Sequence, residues 1–80
     1  MKIPRNLSAE ELISSLRKLG YEVVRQKGSH IRLRTLSGDT HNITIPNHSP
    51  LKIGTLSSIL SDIASHFGIS KEELINKLFG

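Results

Sequence analysis

The chain has no cysteine and no tryptophan, and only three prolines and three aromatic residues among its 80 positions. Without cysteine it has neither a disulfide framework nor a thiolate metal site. Cysteine nucleophiles are excluded with them. No Gly-x-Ser-x-Gly elbow is present, so serine hydrolase chemistry of that kind lacks its motif. No Gly-rich phosphate loop of the nucleotide-binding type occurs either. Three aromatics are too few for the base-stacking platforms of many single-strand binders. No apolar run approaches the ~18 residues that a membrane span needs. The opening Met1-Lys2-Ile3-Pro4-Arg5 lacks the apolar stretch of a signal peptide. The expected setting is the cytoplasm, with no membrane partner.

Acidic residues are also scarce. Eleven Lys+Arg stand against seven Asp+Glu, a formal charge of +4. The surplus is uneven: residues 1–52 hold nine basic and four acidic residues, whereas residues 53–80 hold two and three. The first part therefore suits a polyanionic partner. Its middle offers only Glu22 and Asp39 as carboxylates, so a two-magnesium nuclease has no cluster to stand on. His30, His41 and His48 lack the spacing of a helical pair, and zinc requires three or four ligands fixed by supporting groups. No metal and no cofactor is expected. Eighty residues make one domain with a modest core, residues 1–80.

Hydrophobic periodicity gives the order of elements. Leu12, Ile13, Leu16 and Leu19 recur at helical spacing. Ser8 and Glu11 form a capping box before them, flanked by Leu7 and Leu12 as a staple, and Gly20 closes the helix. Tyr21 to Lys27 reads as a strand, although its period does not decide which face points inward. Gly28-Ser29 is a two-residue hairpin turn. His30 to Thr35 then alternates, with Ile31, Leu33 and Thr35 on one face and His30, Arg32 and Arg34 on the other. After the Ser37-Gly38-Asp39 turn, Ile43 and Ile45 alternate with Asn42 and Thr44. His41 lies in phase with the isoleucines and reads as a strand end without a chemical task. Pro46 and Pro50 bracket a loop. Gly54-Thr55 leads into a second helix with a stripe of Leu56, Ile59, Leu60, Ile63 and Phe67, stopped by Gly68. His66, near its end, reads as structural. Ser70 and Glu73 repeat the capping box, with Ile69 and Leu74 as staple, before a short third helix. The fold class is α+β: a three-stranded antiparallel meander with its helices on one face. The opposite face is left to water, carrying His30, Arg32, Arg34, Asn42 and Thr44.

That open face is poor core material and good phosphate-handling material. Arginine binds phosphate oxygens in a planar fork, and histidine moves protons near neutral pH. RNA carries its own nucleophile, the 2′-hydroxyl, so a base and charge-stabilising donors suffice to cut it without metal. His30 is the candidate base, or the acid for the leaving 5′-oxygen. Lys27, Arg32, Arg34 and Lys52 are candidate phosphate ligands, and Gly28 and Ser29 offer neutral donors. His48, in the proline loop, is a candidate RNA contact, although a loop histidine that hydrogen-bonds nearby backbone is the favoured reading of it.

Several segments in order resemble the HicA family of toxins from bacterial and archaeal toxin–antitoxin modules. They are Leu19-Gly20-Tyr21, Gln26-Lys27-Gly28-Ser29-His30, Ile43-Thr44-Ile45-Pro46-Asn47-His48, and Lys52 with Gly54-Thr55-Leu56 and Ile59-Leu60. The resemblance runs from about Leu12 to Ile75. It implies the α-β-β-β-α fold of double-stranded-RNA-binding domains and a metal-independent endoribonuclease (an mRNA interferase) that blocks translation. It also implies that His30 is the catalytic residue. A HicB-type antitoxin would cover that histidine, in tetramers or larger assemblies of both proteins. The segment His66–Phe79 departs from the minimal family pattern by adding a C-terminal helix. Two other readings share much of this sequence: a non-catalytic RNA-binding module of the double-stranded-RNA-binding type, which needs no particular histidine, and a protein-binding adaptor.

Overall fold

The computed structural model describes residues 6–80, so the N-terminal stretch weighed above as a signal peptide lies outside the described residues. The first helix, α1 (Ala9–Leu16), starts where its capping chemistry dictates. Ser8 Oγ accepts from the Glu11 N–H at 3.1 Å, and Glu11 Oε1 accepts from the Ser8 N–H at 3.0 Å. The Ser8 backbone N–H, and after it the Ser8 hydroxyl, hold the Glu11 carboxyl below its usual range. Leu7 and Leu12 are both buried, as a staple requires. The helix then tightens into a 3-10 turn, Arg17–Leu19, before Gly20. Two demands fall on Gly20. Its φ is +84°, and a Cβ there would lie 2.9 Å from Ser37 Oγ and 3.1 Å from Thr35 Oγ1.

Three strands follow: β1 (Glu22–Lys27), β2 (His30–Thr35) and β3 (His41–Pro46), in the order β1-β2-β3 and all antiparallel. Between β2 and β3 the alternation is regular. Ile31 pairs with Ile45 and Leu33 with Ile43, and all four are buried under the helices. Thr35 is buried among them without penalty, because its hydroxyl donates to the Leu19 carbonyl and accepts from the Ser37 N–H. His30, Arg32, Arg34, Asn42 and Thr44 stand exposed on the open face. β1 is an edge strand with no buried residue, and its ladder slips by one between Val23 and Arg25. Tyr21, read as the first residue of this strand, instead precedes it and is fully buried.

The second helix, α2 (Ile53–Phe67), begins one residue before Gly54, with Lys52 as an N-cap whose side chain makes no cap bond. Leu56, Ile59, Leu60, Ile63 and Ala64 face the core, and Phe67 packs partly buried at its edge. A third helix, α3 (Lys71–Phe79), follows Gly68. Here the expected capping box is half made: Ser70 Oγ accepts from the Glu73 N–H at 3.0 Å, without the return bond from the Glu73 side chain. This helix is no appendage. Leu74, Ile75 and Leu78 are buried in the common core, and Lys18 on the 3-10 turn after α1 donates to the Leu78 carbonyl at 3.1 Å. Lys71 also bonds Ser57 Oγ on α2.

Candidate active site

His30 is placed by the tightest turn in the sheet. Lys27 and His30 form the closing pair of the β1–β2 hairpin, with Gly28 and Ser29 between them. Gly28 has φ +59° while Ser29 stays at negative φ, the sign pattern of a type II′ turn. A Cβ on Gly28 would meet nothing within 4 Å, so the demand for glycine here comes from the backbone alone. The loop after β3 is fastened onto this turn: the Asn47 N–H donates to the Ser29 carbonyl at 2.6 Å. Its far side is tied to the start of α1, where the Ala9 N–H donates to the His48 carbonyl at 3.1 Å and the Leu51 N–H to the Leu7 carbonyl at 2.7 Å. His48 thus serves the loop through its backbone, and its side chain is exposed.

An open depression of about 270 Å³ lies on the solvent face of the hairpin, lined by Arg25, Lys27, His30, Arg32 and Thr44. Three cations, an imidazole and a hydroxyl meet there without a carboxylate. Of the residues expected at the site, Lys27, His30 and Arg32 are brought together here, and Gly28 and Ser29 form the adjoining turn. Arg34 is not. Its Nε donates to Asn42 Oδ1 at 3.0 Å, it faces Glu22 across the ladder, and it lines a separate depression with Gly20 and Val24. Lys52 caps α2, and neither it nor His48 lines the basin. Arg25 and Thr44 line the basin as well, in addition to the residues expected there. Alternation along β3 already puts Thr44 on the open face. Arg25 had no such signal, because the slip at Val24 breaks the alternation that would have located it. Among the described residues, no three His, Asp or Glu side chains gather as a metal site would need.

The other histidines are engaged at the opposite end of the strands. Tyr21 Oη and His41 Nδ1 share a hydrogen bond at 2.7 Å, and Nε2 of His41 faces Asp62 Oδ1 at 3.4 Å. The His41 ring stacks on His66 at 4.4 Å between centroids, and His66 Nε2 donates to the Ser37 carbonyl at 3.1 Å. His41 therefore has a structural task that its strand-end position did not announce: it satisfies a buried phenol. Burial pushes the Tyr21 hydroxyl from 10.0 up to about 12, and the Asp62 carboxylate acts in the same direction. The folded state thus keeps this proton to a higher pH than the unfolded chain does. Stability from this source is complete below pH 10 and falls as pH rises from about 10 to about 12. Tyr21 is the chain's single tyrosine, so phenolate absorbance reports it alone. A phenolate appearing near its ordinary pH in the folded protein, or an unchanged alkaline stability curve in Tyr21→Phe, would contradict this assignment.

Comparison with known families adds the decisive observation. The family described as HicA toxin of bacterial toxin–antitoxin systems matches residues 9–64, from the first residue of α1 to the last turn of α2. The chain belongs to the HicA toxin family. No curated protein and no solved structure matches it. The match takes in the whole hairpin, the basin and the proline loop of this HicA-family chain, while α3 lies beyond it. Membership makes the protein a toxin with an antitoxin partner. No helix among the described residues is long and apolar enough to cross a membrane.

Proposed function

We propose that this toxin is a metal-independent endoribonuclease that cleaves messenger RNA and so blocks translation, with His30 as its catalytic residue. What carries the reading is the company His30 keeps: an exposed imidazole among Arg25, Lys27 and Arg32, in a basin with no carboxylate, in a member of a toxin family. His30 is the lining residue suited to proton transfer near neutral pH. As base it takes the proton of a 2′-hydroxyl. The 2′-oxygen attacks the adjacent phosphorus, the bond to the 5′-oxygen breaks, and that oxygen takes its proton from water, which the open basin admits. The products are a 2′,3′-cyclic phosphate and a 5′-hydroxyl. The cations hold the phosphate and offset the charge that builds on its oxygens. Residue carry-over from the family supports the same role for His30, and the chain's basic half suits both an RNA substrate and an antitoxin that covers the histidine with an acidic surface.

Incubation of the purified protein with a long RNA in excess EDTA tests the reaction. Cleavage leaving cyclic phosphate ends is the expected result, whereas primary cuts leaving 3′-hydroxyl ends would replace 2′-hydroxyl attack with another chemistry. Tight, salt-dependent binding without any cleavage would make the protein an RNA-binding module. Within the basic face the arginines are unequal. Arg32→Ala is expected to weaken RNA binding more than Arg34→Ala, because Arg34 is already committed to Asn42 and opposed by Glu22. Equal losses in a filter-binding titration would contradict that ranking.

A further inference from the structure

β1 carries a residue that the regular β alternation would hide. Val23 pairs with Leu33 and so faces the helices. In an unbroken strand Arg25 and Lys27 would follow it to that side, leaving Gln26 on the open face. The ladder instead skips Val24: Val23 pairs with Leu33, and the next residue in register is Arg25, opposite Arg32. Every side chain beyond the bulge is inverted. Arg25 and Lys27 join His30 on the open face, and Gln26 turns to the helix side, where it lines a groove with Val23 and Ile31 beneath α1.

The consequence is an electrostatic oddity. Two guanidinium groups stand directly opposite each other on neighbouring strands, a pairing that destabilises a sheet. Among the described residues no carboxylate lies within ion-pair distance of either. Arg34, at the far end of the same ladder, has Glu22 opposite it and Asn42 as a hydrogen-bond partner. The basin end has been left without a protein counter-charge, and its lining residues leave room for an anion.

We propose that Arg25 and Arg32 form a two-guanidinium clamp for an RNA phosphate beside His30, and that the Val24 bulge is the device that places Arg25 in it. This rests on the ribonuclease reading above and deepens it, assigning the phosphate to two of the basin's cations and the placing of one of them to the bulge. Arg25 acts by binding and takes no proton.

Binding is measured in a His30→Ala background, so that RNA is held and not cut, with a labelled single-stranded RNA oligonucleotide at several salt concentrations. Adding Arg25→Ala should weaken binding about tenfold and lower the salt slope by about one. The exchange Val24→Arg with Arg25→Val keeps the net charge but moves the guanidinium towards Glu22, and it should lose as much. Deleting Val24 leaves Arg25 opposite Arg32 in an unbroken strand and should bind within about twofold of the parent. Circular dichroism confirms that each variant is folded. If Arg25→Ala or the charge-conserving exchange binds as tightly as the parent, the clamp is wrong while the ribonuclease reading stands. If the His30→Ala parent binds no RNA at any salt concentration, and the wild type cuts none, both fall together.

Discussion

His30→Ala is expected to lower the rate of RNA cleavage by roughly 10²–10⁴-fold, the range associated with losing a positioned general base. The effect should fall on the chemical step. Arg25, Lys27 and Arg32 still line the basin in the variant, and they supply most of its attraction for a polyanion. RNA affinity should therefore stay close to that of the wild type while kcat collapses, the pattern of an interaction made in the transition state and little used in the ground state. The fold should be unaffected, since the His30 side chain is exposed and takes no part in the core. Growth arrest on expression should be lost in parallel. A variant that cleaves at the wild-type rate would remove His30 from the mechanism. A variant that neither cleaves nor binds would make the histidine a binding residue instead.

Removal of α3 is expected to have a comparably large effect on stability. The helix lies outside the family match, yet Leu74, Ile75 and Leu78 are all buried in the common core. At about 1.5–3 kcal/mol for each fully buried side chain, their loss withdraws roughly 5–9 kcal/mol. That gross loss is comparable with the ~5–15 kcal/mol net stability of a typical domain, and it is offset only in part by the conformational entropy that the helix residues no longer lose. Core residues of α1 and α2 that α3 covers would be exposed at the same time, and Lys18 would lose its Leu78 carbonyl. A chain ending at Gly68 should therefore melt without a cooperative transition, or not fold at all. Leu74→Ala alone should cost about 2–5 kcal/mol, the usual range for a leucine cavity in a tight core. Thermal denaturation followed by far-ultraviolet circular dichroism reads both. A truncated chain that melts cooperatively within a few degrees of the full one would show that α3 is dispensable.

Much of this architecture was already written in local patterns. The capping box at Ser8 and Glu11, the glycine stops at Gly20 and Gly68, and the Gly28-Ser29 turn depend on residues within a few positions of each other, so they survive transfer from sequence to structure. The clean alternation of β2 and β3 fixed the open face, and with it the exposure of His30, Arg32 and Thr44. Ser70 and Glu73 show the limit even of local chemistry: the same pattern gave a complete box at α1 and half of one at α3.

Other features are decided by partners distant in the chain. His41 reads as an idle strand end until Tyr21, twenty residues before it, and Asp62, twenty-one after, close around it. Arg34 looked equivalent to Arg32 until the ladder set Glu22 and Asn42 against one and left the other facing Arg25. By itself, the sequence determined the order of elements, the basic character of the open face and the turn that presents His30, because each follows from short-range backbone preference and a fixed side-chain period. Only the tertiary structure decided which cations share the basin with that histidine. Register in a sheet is a relation between strands, and the single slip at Val24 inverts every side chain beyond it, so the period of β1 alone does not place them.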